Sequence, residues 1–296
     1  MSKSRVSSHE RAAREQADRQ SSSKSSAKKF LGLSLSGGKT DKASLALIDY
    51  YPEQKKVFLS RLFHSLKPEE NFSADAKIIE LLHQYENIVE YIGVDNPWQP
   101  PVCFQCETNP CVTYETCEKP HIQWLWAHYK KMKAKKKPTK IFTPYTQRCV
   151  ENYLLTELEE PFHISHAMGA NSAPLLARAG FLKRRTSCDW FEVYPPLSVW
   201  RIGRHLNIKK SDLRSYKKSA VGEGCRRQIL TSLQEHDVVF LYKDDVNTMI
   251  QNVHAFDAFI CAYTLYLKYT KQTEKRPTDF PGYEDWIEFP KEELDI

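Results

Sequence analysis

His254-Ala255-Phe256-Asp257-Ala258-Phe259-Ile260-Cys261-Ala262-Tyr263-Thr264-Leu265-Tyr266-Leu267 is the stretch on which the fold turns. Phe256, Phe259, Ile260, Tyr263 and Leu267 recur at helical spacing and form one apolar stripe. Ala258, Cys261, Ala262 and Leu265 form a second face of mostly small side chains, which lets the helix lie close against a sheet. A helix apolar on two faces is a buried helix. Asp257 near its start is therefore either a carboxylate that must be paired or hold a metal, or a first-turn acid favoured by the helix dipole and left in water.

Outward from this helix the chain reads as alternating strands and helices. Phe30 to Ser36 is a short strand with apolar residues on both faces and hence central. Gly37 to Asp41 is a turn, and Ala43 to Tyr50 and Lys56 to Leu62 complete an antiparallel meander. A helix follows over Ser73 to Tyr85, with Ser73 placed to cap it, and then a buried strand over Ile88 to Val94. Helices are expected near Thr146 to Leu158 and Ser172 to Arg184, and a strand over Asp189 to Tyr194. Further helices are read over Leu197 to Leu206, Glu223 to Glu235 and Asp244 to Tyr269. Val238 to Tyr242 reads as an edge strand and Trp286 to Phe289 as a terminal extended segment. Three hairpin strands followed by helix, strand, helix, strand and helix predict one α/β domain, a mixed sheet flanked by helices in the ribonuclease-H-like order.

The 296 residues, 41% of them hydrophobic, are enough for one large domain. No apolar run has the length of a membrane span, and no hydrophobic stretch marks an export signal. A membrane protein is thus not expected. The eight cysteines read as reduced thiols or metal ligands, and the expected compartment is the cytoplasm. The net charge of +6 is unevenly spread: residues 1 to 29 hold eight basic and three acidic residues, a local +5. Residues 1 to 28 carry too little apolar surface to offset ordering entropy and are read as a disordered basic tail. The domain proper is expected over 29 to 296, with a Cys- and Lys-rich insertion at 98 to 140.

Five motifs in order carry a resemblance: Phe30-Leu31-Gly32-Leu33-Ser34-Leu35-Ser36-Gly37-Gly38-Lys39-Thr40-Asp41; Ile92-Gly93-Val94-Asp95-Asn96-Pro97; Pro144-Tyr145-Thr146-Gln147-Arg148; Glu192-Val193-Tyr194-Pro195; and the Phe256 to Ala262 segment together with Glu284-Asp285-Trp286-Ile287-Glu288-Phe289-Pro290. Together they resemble domain-of-unknown-function family 429, a predicted nuclease group of ribonuclease-H-like fold. The resemblance implies a carboxylate site at the centre of the sheet. Cleavage of a phosphodiester by such a site uses one or two Mg²⁺ ions, which take oxygen ligands. Asp95 at the end of the fourth strand, Glu192 in the fifth and Asp257 on the core helix are the candidate catalytic residues and Mg²⁺ ligands. The family pattern has Asp where this chain has Ser34, a neutral hydroxyl that does not supply the charge that draws in a second ion. Asp41 stands on a loop seven residues further on as a substitute. An active nuclease and an inactive relative are both open readings.

Two further constellations stand out. Cys103, Cys106, Cys111 and Cys117 fall within fifteen residues of a Pro-rich loop with His121 close behind, a set able to hold one Zn²⁺ or an iron–sulfur cluster. Trp124 and Trp126 precede Lys130, Lys131, Lys133, Lys135, Lys136 and Lys137, a pairing of aromatic rings and phosphate-neutralising cations that suits a nucleic-acid partner. The sequence thus supports a metal-dependent nuclease or a nuclease-like nucleic-acid binder. An actin-like or sugar-kinase-like enzyme, with Gly37-Gly38-Lys39-Thr40 as its phosphate turn, and a non-catalytic interaction module are the alternatives.

Overall fold

The computed structural model describes residues 27–37, 42–135, 142–160 and 162–295, with the side chains of 133–135 left aside. The expected basic tail, the Gly38 to Asp41 part of the first turn, and Lys136 and Lys137 lie outside these residues.

Three strands open the fold: β1 (Lys28–Leu35), β2 (Ala43–Tyr51) and β3 (Lys56–Leu66). Helix α1 (Ala74–Tyr85), capped by the Ser73 hydroxyl accepting from the Ala76 N–H, leads to β4 (Val89–Val94). The insertion contributes α2 (Pro120–Lys135), followed by α3 (Cys149–Thr156), α4 (Ala173–Lys183) and β5 (Trp190–Val193). Next come α5 (Pro195–His205), α6 (Lys210–Leu213), α7 (Ser219–Glu235), β6 (Val239–Phe240), α8 (Lys243–Gln251), α9 (Val253–Tyr269) and β7 (Ile287–Glu288). The seven strands form one sheet in the order β6-β3-β2-β1-β4-β5-β7. β1 to β3 pair antiparallel, and β4, β5 and β7 extend the sheet in parallel from β1. This is the mixed, helix-flanked sheet that the order of elements predicts.

Strand alternation divides the sheet into two faces. Leu31, Leu33, Leu35, Ile92, Val94 and Trp190 point toward α1 and α4 and form one core with Ile78, Leu82, Ala179 and Leu182. Phe30 and Val193 lie on the other face, under α9, in the larger core. The helix approaches the sheet at two glycines. A Cβ at Gly32 would stand 2.0 Å from the Ala258 carbonyl oxygen, and one at Gly93 would stand 3.0 Å from Leu265 Cδ1. Small residues on both surfaces therefore bring the backbone of α9 onto β1 and β4, as its second face predicts.

The helix expected over Asp244 to Tyr269 is two. Asn252 takes an extended backbone (φ −111°, ψ 105°), ends α8 and caps α9, its side chain accepting from the His254 and Ala255 N–H groups. Asparagine supplies this cap within an otherwise periodic pattern. The break aims the first turn of α9, with His254 and Asp257, at the carboxyl ends of β1 and β4.

Candidate functional site

Ser34, Asp95 and the first turn of α9 come together at that end of the sheet. Ser34 shares strand parity with Gly32, and Asp95 with Gly93, so both face α9. The fully buried Ser34 hydroxyl donates to Asp95 Oδ2 at 2.5 Å, and its oxygen lies 3.1 Å from His254 Nδ1. A hydroxyl has one proton to give, so Ser34 accepts from a neutral His254 protonated at Nδ1. Burial lowers the pKa of His254, consistent with that form. Asp95 Oδ1 accepts the Leu35 N–H at 3.0 Å and the Asn96 side-chain amide. Burial pushes the Asp95 carboxyl up to about 6; the Ser34 and Leu35 bonds oppose the shift, and the nearby Asp257 charge adds to it.

Asp257, 2% exposed, is engaged at both oxygens. The Tyr216 hydroxyl donates to Oδ1 at 3.1 Å, and the Lys217 ammonium stands 3.1 Å from Oδ2. Desolvation works against the Lys217 charge, but Asp257 and Asp95 outweigh it and hold its pKa above the ordinary value. The loop carrying Tyr216 and Lys217 is itself anchored: the buried Arg226 guanidinium donates to the carbonyls of Tyr216 and Ile250. Tyr216, Lys217, Arg226 and His254 have no motif that singles them out in the sequence. Lys217 lies forty positions from Asp257, in a loop without periodicity.

Glu192 is not brought to this group. It shares parity with Trp190 and pairs in register with Val94, so it leaves the sheet on the face away from α9. There it receives both Arg148 terminal nitrogens, Nη1 at 2.6 Å and Nη2 at 2.8 Å, while Arg148 Nε donates to Glu151 at 2.9 Å. Glu151 also accepts the Ala167 N–H at 2.9 Å, and Glu284 accepts the Val150 N–H at 3.1 Å. Burial opposes the Arg148 charge, but Glu192 and Glu151 overcome it and keep the guanidinium protonated. Burial raises Glu284 to about 7. The Pro144 to Arg148, Glu192 and Glu284 motifs thus meet in one buried ionic cluster that ties α3 and the terminal segment to the sheet.

The donors at the α9 end do not fit Mg²⁺. This ion demands a near-octahedral set of oxygens at about 2.0–2.1 Å. Each oxygen of Asp95 and Asp257 already accepts a donor from the protein, position 34 is neutral, and an ammonium stands against Asp257. Among the described residues no group of three or more His, Cys, Asp or Glu side chains is placed to hold a metal ion.

That finding extends to Cys103, Cys106, Cys111 and Cys117, all free thiols. Lys119 Nζ donates to Cys106 Sγ at 3.0 Å and lowers that thiol to about 7, whereas burial raises Cys103. His121 turns instead to Tyr283, its Nδ1 2.9 Å from the hydroxyl. Trp124 stacks on His128 at 4.6 Å, and Trp126 packs on Phe142 at 4.8 Å while its Nε1 donates to the Tyr114 carbonyl. Both indoles are committed to the aromatic core of the insertion. Lys130 and Lys131 are exposed on α2, with Lys131 paired to Glu157 at 2.9 Å. Lys133 and Lys135 lie on the same helix, their side chains outside the described residues.

Comparison with curated proteins and with solved structures finds no match. No helix among the described residues is long and apolar enough to cross a membrane. One family model matches, over residues 145–278, a span that includes Arg148, Glu192, Lys217 and Asp257 and leaves out Ser34 and Asp95. Over that span the chain is similar to the family described as "Protein of unknown function (DUF429)", the family its motifs resemble.

Proposed function

We propose that this chain is a nuclease-like nucleic-acid-binding protein in which phosphodiester cleavage is lost or strongly weakened, its central carboxylate pair being neutralised from within rather than by a divalent ion. The observation that carries this reading is the Lys217 ammonium 3.1 Å from Asp257 Oδ2, under the combined field of Asp257 and Asp95. Two buried carboxylates need compensating charge. In a metal-dependent nuclease Mg²⁺ supplies that charge; here the lysine supplies one positive charge and the Ser34 hydroxyl replaces the third carboxylate of the family pattern. The basic stretch at residues 1 to 29 and the exposed Lys130 and Lys131 support a polyanionic partner. The resemblance supports nucleic acid as that polyanion.

The test pairs binding with cleavage. Labelled single- and double-stranded DNA and RNA oligonucleotides are titrated with the protein at several salt concentrations, and the same substrates are incubated with Mg²⁺ or Mn²⁺. The reading expects salt-dependent binding and no metal-dependent cleavage above background. Robust cleavage by the wild-type chain, abolished by Asp95→Asn, would instead make it an active nuclease.

A further inference from the structure

Cys103-Phe104-Gln105-Cys106 lies in one tight turn of the insertion. Three successive backbone bonds wind it: the Phe104 N–H donates to the Pro101 carbonyl at 2.9 Å, Gln105 to Val102 at 3.1 Å and Cys106 to Cys103 at 3.3 Å. Bonds that each span three residues are the 3₁₀ pattern, in which the side chains at the two ends of a span eclipse. A turn closed in this way holds its end Cα atoms within about 7 Å. A disulfide spans about 4.4–6.8 Å between Cα atoms, so the backbone brings Cys103 and Cys106 into bridging range.

The two thiols have unlike surroundings. Cys103 packs against the core of the insertion, and burial helps it keep its proton. Cys106 lies in the wall of an open groove of about 920 Å³, with Gln105, Thr108, Lys119 and Tyr283 beside it. The Lys119 ammonium donates to its sulfur at 3.0 Å, and the Thr108 hydroxyl and N–H hydrogen-bond it as well. Three donors on one sulfur form a cradle for a thiolate, the nucleophile of thiol chemistry. The groove is within the size range of small-molecule sites, and its amide and hydroxyl groups suit a short peptide.

We propose that Cys106 and Cys103 form a dithiol site that exchanges with a low-molecular-weight peptide disulfide, Cys106 attacking and Cys103 resolving. The Cys106 thiolate attacks one sulfur of that disulfide. Its S–S bond breaks, one half leaves as a thiolate, and a mixed disulfide forms on Cys106. The Cys103 thiol then gives its proton to solvent and attacks Cys106 Sγ, which releases the second half as a thiolate. Two electrons pass from the protein to the peptide disulfide, and one Cys103–Cys106 bridge remains. Neither the carboxylate pair nor a nucleic acid takes part, so the test is independent of the function proposed above.

The experiment treats the folded, reduced full chain, freed of reductant and analysed for bound metal, with oxidised glutathione, and follows acid-quenched samples by peptide mass spectrometry. Wild type should accumulate the Cys103–Cys106 bridge with little glutathione left attached. Cys103→Ser should trap glutathione on Cys106, Cys106→Ser should react at least tenfold more slowly, and Lys119→Ala should slow the attack severalfold. The wild-type map needs no variant, so loss of folding in a substituted chain leaves the test intact. No reaction, an adduct that persists on wild-type Cys106, or a bridge through Cys111 or Cys117 in place of Cys103 would overturn the proposal. So would zinc or iron held by these thiols in the purified chain.

Discussion

Ser34 on β1 and Asp95, the residue that follows β4, share a side-chain hydrogen bond at the centre of the fold, 2.5 Å from Oγ to Oδ2. The bond fixes the Asp95 carboxylate toward β1 and takes one of its lone pairs. Position 34 is fully buried, so what stands there decides how much negative charge the site must hold. Ser34→Ala removes a hydrogen bond to a charged group and should cost about 1.5–3 kcal/mol. Ser34→Asp places a second buried carboxylate against Asp95 and should cost more, about 3–5 kcal/mol. Urea unfolding of the two variants measures the difference; equal costs would mean that position 34 does not feel the charge of Asp95.

Asp95 also sets a pH dependence. Its carboxyl lies near 6 in the folded chain, above its ordinary value, because burial disfavours the charge. The folded state therefore holds this proton more tightly than the unfolded state. The stabilisation is complete below the ordinary aspartate range and is lost as pH rises through about 6. Buried Glu284, near 7, acts in the same direction at somewhat higher pH. Melting temperatures should fall between pH 5 and 8 more steeply for wild type than for Asp95→Asn or Glu284→Gln. Parallel curves for all three proteins would contradict the assignment.

The buried ionic cluster makes a separate prediction. Arg148→Met leaves Glu192 and Glu151 without their cation and should destabilise the protein by about 3–5 kcal/mol. Glu192→Gln should also lower stability while leaving oligonucleotide affinity unchanged, because Glu192 is committed to Arg148 on the face away from Asp257. Loss of affinity in a folded Glu192→Gln protein would return that residue to the functional site.

Much of this architecture is legible in the sequence because periodic apolar patterns report on both surfaces of an element. The double-faced helix at Ala255 to Leu267 and the Gly32 and Gly93 positions beneath it are one fact written twice. Side-chain parity within β5 is legible, Trp190 and Glu192 alternating with Phe191 and Val193, but the register that sets Glu192 beside Val94, and so on the face away from Asp95, comes from the pairing of distant strands and leaves no local pattern. The motif at Pro144 to Arg148 marked a residue of consequence without saying that it meets Glu192, since a buried ion pair forty-four residues apart leaves no local pattern. Lys217 was illegible for the same reason. Its role comes from Asn252 ending one helix and aiming the next, and from Arg226 holding the Tyr216 carbonyl.

Cys106 should be the most reactive of the cysteine-loop thiols. Its lowered pKa, about 7, follows from the Lys119 ammonium 3.0 Å away, and the thiolate is the nucleophile. Iodoacetamide at pH 7.5, read by peptide mass spectrometry, should label Cys106 ahead of Cys103, and Lys119→Ala should slow that labelling severalfold. Uniform labelling of the four thiols, or a rate indifferent to Lys119, would show that the contact does not govern the thiol.

The central claim is that Lys217 and Ser34 stand where a nuclease centre would hold metal, and Mn²⁺ titration followed by calorimetry and by electron spin resonance tests it most directly. Wild type should show no saturable Mn²⁺ site at the sheet centre. Ser34→Asp/Lys217→Ala, which restores a carboxylate and removes the competing cation, should gain one that disappears when Asp95→Asn is added, with a melting temperature that rises as Mn²⁺ is supplied. A wild-type chain that binds Mn²⁺ tightly, and loses it on Asp95→Asn, would contradict the account.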